Sequence, residues 1–118
     1  MNKKNYEVYF DDILESIDKI DEYTKDISKK KFNKDSKIQD AVIRRIEIIG
    51  EAANKIPVKI QKKYPDTPWK DVIGMRNVLI HHYGGVDVNR VWRVVKNRLS
   101  ELRKNILTLK EKEFSSEK

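Results

Sequence analysis

The sequence lacks the residues that build disulfide frameworks and membrane spans. It contains no cysteine, which excludes disulfide bonds, zinc–thiolate sites and thiol nucleophiles. No apolar run approaches the roughly 20 residues that cross a bilayer as a helix, and no signal peptide precedes the first amphipathic pattern. Glycine is also scarce, and three of the four glycines lie within residues 74–85. We therefore expect a soluble, cytoplasmic protein.

Charge, in contrast, is abundant. Charged residues make up 38% of the 118-residue chain and hydrophobic residues another 38%. The formal net charge is +7 at pH 7, which favours a polyanionic partner, either nucleic acid or an acidic protein. The length fits a single domain over residues 1–118, with a polar tail from about residue 111.

Apolar residues recur in steps of three and four, which is the spacing of one helix face. The predicted helices cover about Tyr6–Ile27, a second stretch from Asn33–Ser36 to Ile56, Val58–Tyr64, Trp69–Ile80 and Val88–Leu109. No stretch alternates as a strand would. The sequence therefore predicts an all-α protein, an antiparallel bundle of four to five helices.

Several local signals refine this prediction. Ser28 to Lys31 reads as a solvated turn, and Ser36 with Gln39 forms a candidate capping box at the start of the second long helix. Gly50 is small enough for a neighbouring helix to approach closely. The like-charged pair Glu47 and Glu51 either has a basic partner such as Arg44 or consists of two solvated glutamates. Asp87 is the predicted N-cap of the last helix.

The stretch from Gly74 to Gly85 holds both histidines of the protein. Asn77 and His81 are four residues apart and share a helix face, and Arg76 and Tyr83 share another. Arg76 and His81 lie about 140° apart around a straight helix. Either distortion near the terminal glycines or a second copy of the motif would bring them together, and we favour a two-fold dimer that faces motif to motif.

These residues resemble the HepT-like toxins of the HEPN superfamily over nearly the whole chain. One signature lies in the second long helix and ends in Gly50-Glu51-Ala52-Ala53. The other consists of Trp69, Met75-Arg76-Asn77, His81, Tyr83, and Gly85-Val86-Asp87 leading into a helix with Trp92. The arginine, four residues, histidine, one residue, tyrosine pattern is Arg76, His81 and Tyr83 in this sequence.

The resemblance implies a type VII-like toxin: a dimeric, metal-independent endoribonuclease that needs no cofactor and cuts RNA, with tRNA and mRNA as candidates. Arg76 and His81 are the implied catalytic residues, and Asn77 and Tyr83 bind substrate or support the site. The implied partner is an MntA-type nucleotidyltransferase that silences the toxin by adding AMP to Tyr83. Gly84 departs from the bulky aromatic that relatives usually carry.

The chemistry of the residues fits this implication. RNA carries its own nucleophile, the 2′-hydroxyl, so cleavage needs only proton transfer and stabilisation of charge on the phosphate. The imidazole of His81 exchanges protons near neutral pH, and the guanidinium of Arg76 can hold a phosphate through two hydrogen bonds.

Each assignment has a plainer alternative. His81 would also suit a helix C-terminus, where the dipole favours a cation, and Arg76 would suit a surface salt bridge. Trp69 and Trp92 fit the core better than a base-stacking platform. The alternative function is a non-catalytic helical subunit that docks a nucleotidyltransferase or nucleic acid.

Overall fold

The computed structural model describes residues 3–80 and 87–114, with side chains described for 5–76 and 87–114. The described chain is helical throughout its regular structure and contains no strand, which confirms the all-α prediction. No helix in these ranges combines the length and apolar character needed to span a bilayer. The helices are α1 (Lys3–Thr24), α2 (Lys29–Lys34), α3 (Ser36–Lys55), α4 (Val58–Lys63), α5 (Trp69–Ile80), α6 (Val88–Asn97) and α7 (Leu99–Phe114).

The core forms where α1 packs against α3 and α7, and where α3 packs against α5. Its fully buried large side chains include Phe10, Ile13, Ile17, Ile46, Ile49 and Ile106. Two ion pairs fix the direction of α7 against α1: Asp11 pairs with Lys110 at 2.5 Å, and Asp18 pairs with Arg103 at 2.9 Å. Because the partner numbers fall as the α1 numbers rise, these two helices run antiparallel.

The predicted turn at Ser28 to Lys31 is wrong, because the chain forms helix α2 there. Ser28 is its N-cap, and the Ser28 hydroxyl accepts a hydrogen bond from the Lys31 amide at 3.1 Å. Phe32 is fully buried and stacks on Trp92 of α6, with ring centroids 5.1 Å apart. Burial of this one aromatic ring ties the lysine-rich segment to the domain.

The start of α3 also differs from the prediction. Asp35, not Ser36, is the N-cap, and its carboxylate accepts hydrogen bonds from the amides of Lys37 and Ile38. The hydrogen bond from the Ile38 amide lowers the pKa of Asp35. Gln39 does not complete a capping box, because its side-chain amide donates to the Phe32 carbonyl at 2.8 Å. Gln39 thereby satisfies a carbonyl group at the end of α2.

The predicted last helix is divided in two at Arg98, which lies between α6 and α7. The Arg98 amide still donates to the Val94 carbonyl, and the Leu102 amide donates to the Arg98 carbonyl. The break lets α6 pack against α2 while α7 packs against α1. One continuous apolar stripe thus serves two different neighbours.

A buried carboxylate links three helices at one end of the bundle. Glu113 of α7 is only 3% exposed, and it accepts hydrogen bonds from Tyr6 of α1, from Tyr64 just after α4, and from Lys63 at 2.8 Å. Burial acts to raise the pKa of Glu113, but the hydrogen bonds from Lys63 and Tyr64 outweigh it, and the pKa falls below its ordinary value. The predicted polar tail from about residue 111 is helical as far as Phe114, where the described residues end.

Candidate active site

Helix α5 carries Arg76, and its position is set by close packing against α3. A Cβ atom added to Gly50 would lie 3.3 Å from the Arg76 Cβ and 3.3 Å from the Ile73 carbonyl oxygen. The predicted close approach at Gly50 is thus confirmed, and the approaching helix is α5. The absence of a side chain at Gly50 allows the backbone of α5 to lie this close to α3.

The side chain of Arg76 is exposed. Within the part of the chain that the structure describes, no carboxylate lies within ion-pair distance of its guanidinium. Glu51, the residue after Gly50, pairs with Arg44 at 3.9 Å, which is one of the two alternatives stated for the Glu47 and Glu51 pair. The plainer alternative for Arg76, a salt bridge on the surface, is therefore not found among the described residues.

The other predicted site residues fall outside the description. The backbone of Asn77 belongs to α5, but its side chain is not described, and His81, Tyr83 and Gly84 lie outside the described residues. The juxtaposition of Arg76 with His81 therefore stays a prediction. Among the described residues, no group of three or more histidine, aspartate or glutamate side chains is placed to hold a metal ion.

The segment with these residues is bounded by two helix ends. Helix α5 ends at Ile80, and α6 follows Asp87, which is its N-cap as predicted. The Asp87 carboxylate accepts a hydrogen bond from the Arg90 amide at 3.2 Å. Arg90 consequently stands in the first turn of α6, only a few residues beyond the motif.

A groove of about 600 Å³ runs between α5 and α6. We call it the basic groove, because four cationic side chains line it against one carboxylate. The lining residues are Lys70, Asp71, Gly74, Met75, Arg90, Arg93, Val94, Asn97 and Arg98. Arg98 lies 3.8 Å from Asp71, in a pair whose side chains are both more than half exposed. In the described ranges no carboxylate pairs with Lys70, Arg90 or Arg93.

Arg90 and Arg93 stand three residues apart on one helix, but the sequence does not place Lys70 of α5 beside them. The signal is present on α6, where residues 90, 93, 94, 97 and 98 follow helical spacing on one face. No such periodicity within one helix could show that α5 presents Lys70 to the same groove.

Both tryptophans belong to the packed interior or its edge, as predicted. Trp69 is buried, and its indole N–H donates to the Tyr64 carbonyl at 3.0 Å. Trp92 stacks on Phe32 and lies beneath the Lys96 ammonium group, which is 4.6 Å from the ring centroid. Neither indole is free to serve as an open stacking platform for a base.

Comparison with known families places this architecture in a defined group. The model of the family described as "Ribonuclease HepT-like" matches residues 13–109, which is most of the chain. The protein belongs to the HepT-like ribonuclease family.

Individual relatives agree with this placement. "Gamma-glutamylcyclotransferase and putative RNase MJ0434" of Methanocaldococcus jannaschii is 46% identical over 109 residues, which cover 92% of this chain but 49% of that protein. This chain thus spans about half the length of that relative. "Putative RNase MJ1380" of the same organism is 41% identical, with 90% of this chain and 97% of the relative covered.

A third relative is "Probable ribonuclease HepT" of Thermococcus cleftensis. It is 43% identical over 101 residues, which cover 86% of this chain and 92% of the relative. No solved structure matches the chain.

Proposed function

We propose that the protein is a metal-independent endoribonuclease in which Arg76 and His81 are the catalytic residues. The observation that carries the proposal is the exposed Arg76 on α5, the first residue of the arginine–histidine–tyrosine motif, in a chain of the HepT-like ribonuclease family. No carboxylate among the described residues pairs with it. A guanidinium without a carboxylate partner keeps its donors available for a phosphate.

In the proposed reaction the RNA 2′-hydroxyl attacks the adjacent phosphorus. The new P–O2′ bond replaces the P–O5′ bond, and the products are a 2′,3′-cyclic phosphate and a 5′-hydroxyl end. His81 takes the proton of the 2′-hydroxyl or delivers one to the leaving 5′-oxygen. Arg76 stabilises the negative charge that builds on the non-bridging oxygens. Asn77 orients the imidazole or binds the phosphate, and Tyr83 contacts the substrate.

The test is cleavage of cellular RNA and tRNA in the presence of EDTA. Cleavage is expected to persist without divalent metal and to fall by at least about 10²-fold in His81→Ala and in Arg76→Ala, since each removes a catalytic group. Arg103→Ala is the matched control, because it removes an arginine from α7 rather than from the proposed site. Normal cleavage by His81→Ala would refute the mechanism.

We further propose that the protein is the toxin of a toxin–antitoxin pair whose antitoxin is an MntA-type nucleotidyltransferase. Transfer of AMP from ATP to the Tyr83 hydroxyl releases pyrophosphate and places negative charge and bulk close to Arg76. Both effects oppose binding of an RNA phosphate. Tyr83→Phe lacks only the acceptor hydroxyl, so it should escape silencing, and mass spectrometry should find AMP on Tyr83 of the parent. AMP on another residue would contradict this assignment.

Gly84 supports a second candidate, a non-catalytic subunit that only docks the nucleotidyltransferase or nucleic acid. Relatives usually carry a bulky aromatic where this sequence has Gly84, and glycine restricts the backbone less than any other residue. Expression alone in cells separates the two candidates. Growth arrest that His81→Ala relieves supports the ribonuclease, whereas harmless expression at high level with tight partner binding supports the docking subunit.

A further inference from the structure

We propose that the basic groove between α5 and α6 binds the sugar–phosphate backbone of the RNA strand on one side of the cleavage point. This inference rests on the proposed function, because it extends the substrate beyond the phosphate that Arg76 holds. It assigns a binding role to Lys70, Arg90 and Arg93.

The charge of the groove favours a polyanion. Three of its four cations have no carboxylate partner among the described residues, and the fourth, Arg98, makes only the exposed contact with Asp71 at 3.8 Å. Exposed ion pairs of this kind contribute little to stability. Within the described part of the domain, three unpaired cations and one weakly paired cation thus lie along one groove, and such an arrangement attracts phosphates.

The shape of the groove favours a strand over a single small anion. Arg90 and Arg98 lie eight residues apart along α6 and its C-cap, which corresponds to about 12 Å along the helix. That length matches roughly three to four nucleotides of a stacked strand at about 3.4 Å each. Met75 and Val94 provide apolar lining between the cations, which suits the faces of sugars and bases.

The groove and Arg76 lie on different faces of α5. The Arg76 Cβ faces Gly50 on α3, whereas Lys70, Asp71 and Gly74 line the groove toward α6. A Cβ added to Gly74 would meet no atom of the described residues within 4 Å, so this part of α5 is open toward the described chain. Arg90, in the first turn of α6, is the groove cation that follows the motif most closely in sequence.

The experiment measures binding separately from cleavage. A fluorescent single-stranded RNA with methylated 2′-hydroxyls cannot be cleaved, and its affinity for the parent protein is measured by anisotropy over a series of salt concentrations. In the double variant Arg90→Gln/Arg93→Gln, the slope of log affinity against log salt should become shallower by about 0.7 for each phosphate that the protein no longer neutralises. Affinity at fixed salt should fall roughly tenfold or more.

Two further variants make the result specific. Arg103→Gln removes one positive charge from α7, where Arg103 pairs with Asp18, and it should leave the slope unchanged. Gly74→Glu places a carboxylate in open space within the groove and should weaken binding without removing any arginine. Circular dichroism on each variant establishes that the helical fold is retained.

The outcomes distinguish this inference from the proposed function. If the parent cleaves RNA, and the groove variants bind RNA with the same salt slope and affinity as the parent, then the groove is not the strand site and the ribonuclease proposal stands. If no RNA is cleaved but the groove variants lose the salt dependence, the groove binds nucleic acid and the ribonuclease proposal fails. If the groove variants change the mass measured by sedimentation while the salt slope stays constant, the groove is an interface between two copies. That outcome would overturn the inference.

Discussion

Gly50 shows how a single missing side chain positions a functional residue. Its backbone lies against Val72, Ile73 and Arg76, and a Cβ there would be 3.3 Å from two α5 atoms. One of those atoms is a backbone carbonyl oxygen and the other is the Cβ that anchors Arg76. Neither can swing aside, so any side chain at residue 50 has to displace α5. The glycine of the Gly50-Glu51-Ala52-Ala53 signature therefore has a steric explanation.

Gly50→Ala and Gly74→Ala form a matched pair for testing this explanation. Both replace a helical glycine, which alone favours the helix by up to about 1 kcal/mol. Gly74→Ala meets open space and should raise the free energy of unfolding. Gly50→Ala should lower it by roughly 1–3 kcal/mol, because overpacking at the α3–α5 contact outweighs the helical gain. Urea denaturation measures both, and equal stabilisation of the two variants would contradict the packing argument.

At the scale of the helices, periodicity predicts the long elements because they bury one face each. It fails where a single residue decides the structure. Phe32 is one aromatic residue among lysines and asparagine, too isolated to form a stripe, yet its burial makes α2 a helix. Periodicity also fails to predict the break at Arg98, but for the opposite reason. Buried positions at Val91, Val95 and Leu99, then Leu102, keep helical spacing across the break, so the pattern reads as one helix.

The carboxylate of Glu113 gives α1, α4 and α7 a common electrostatic contact with a defined pH dependence. Its pKa lies below the ordinary value of 4.5 in the folded protein, so its stabilising contribution is complete above that pH and is lost as the pH falls through the lower folded value. Glu113→Gln should lower the free energy of unfolding by roughly 1.5–3 kcal/mol near neutral pH.

The difference between the parent and Glu113→Gln should shrink as the pH falls below 4.5, because protonation removes the same charge from the parent. Denaturation curves at several pH values between neutrality and about pH 3 measure this. Glu101→Gln, at an exposed position of α7, is the control and should show little pH-dependent difference. A Glu113→Gln deficit that stays constant with pH would indicate a packing effect instead.

At the scale of the whole molecule, the predicted site requires Arg76 and His81 to come close enough to act on the same phosphate. Arg76 and His81 stand about 140° apart on an ideal helix, and the sequence supplies one copy of each per chain. This geometry favours a two-fold dimer, with Arg76 of one protomer and His81 of its partner acting on the same phosphate. A two-fold axis duplicates such a shared site automatically.

Subunit mixing tests the shared site. Arg76→Ala and His81→Ala are each expected to be inactive, but a heterodimer of the two would contain one site with both native residues. After unfolding and refolding of an equal mixture, cleavage should return to about a quarter of the parent activity, because half of the dimers are mixed and each has one of two sites restored. Separate refolding of each variant is the control. A mixture that remains inactive would place Arg76 and His81 of one protomer in the same site.

The sequence predicts only those site residues that belong to a recognisable motif. Arg76 is identified by its spacing from His81 and Tyr83 and by the resemblance to HepT-like proteins. Whether a carboxylate pairs with it depends on the neighbours that folding brings close, which spacing within one helix does not reveal. The same applies to Lys70, which joins Arg90 and Arg93 only because α5 and α6 line the same groove.

The break at Arg98 leaves a signature in hydrogen exchange. Two backbone hydrogen bonds flank the break: the Arg98 amide donates to the Val94 carbonyl, and the Leu102 amide donates to the Arg98 carbonyl. An interruption of the regular helix opens more readily than a helix core, so its amides exchange with deuterium sooner. A short window of faster exchange around Arg98 should therefore interrupt the protected amides of α6 and α7, resolved by NMR after transfer to heavy water. Slow exchange throughout 94–106 would mean that the helix is continuous in solution.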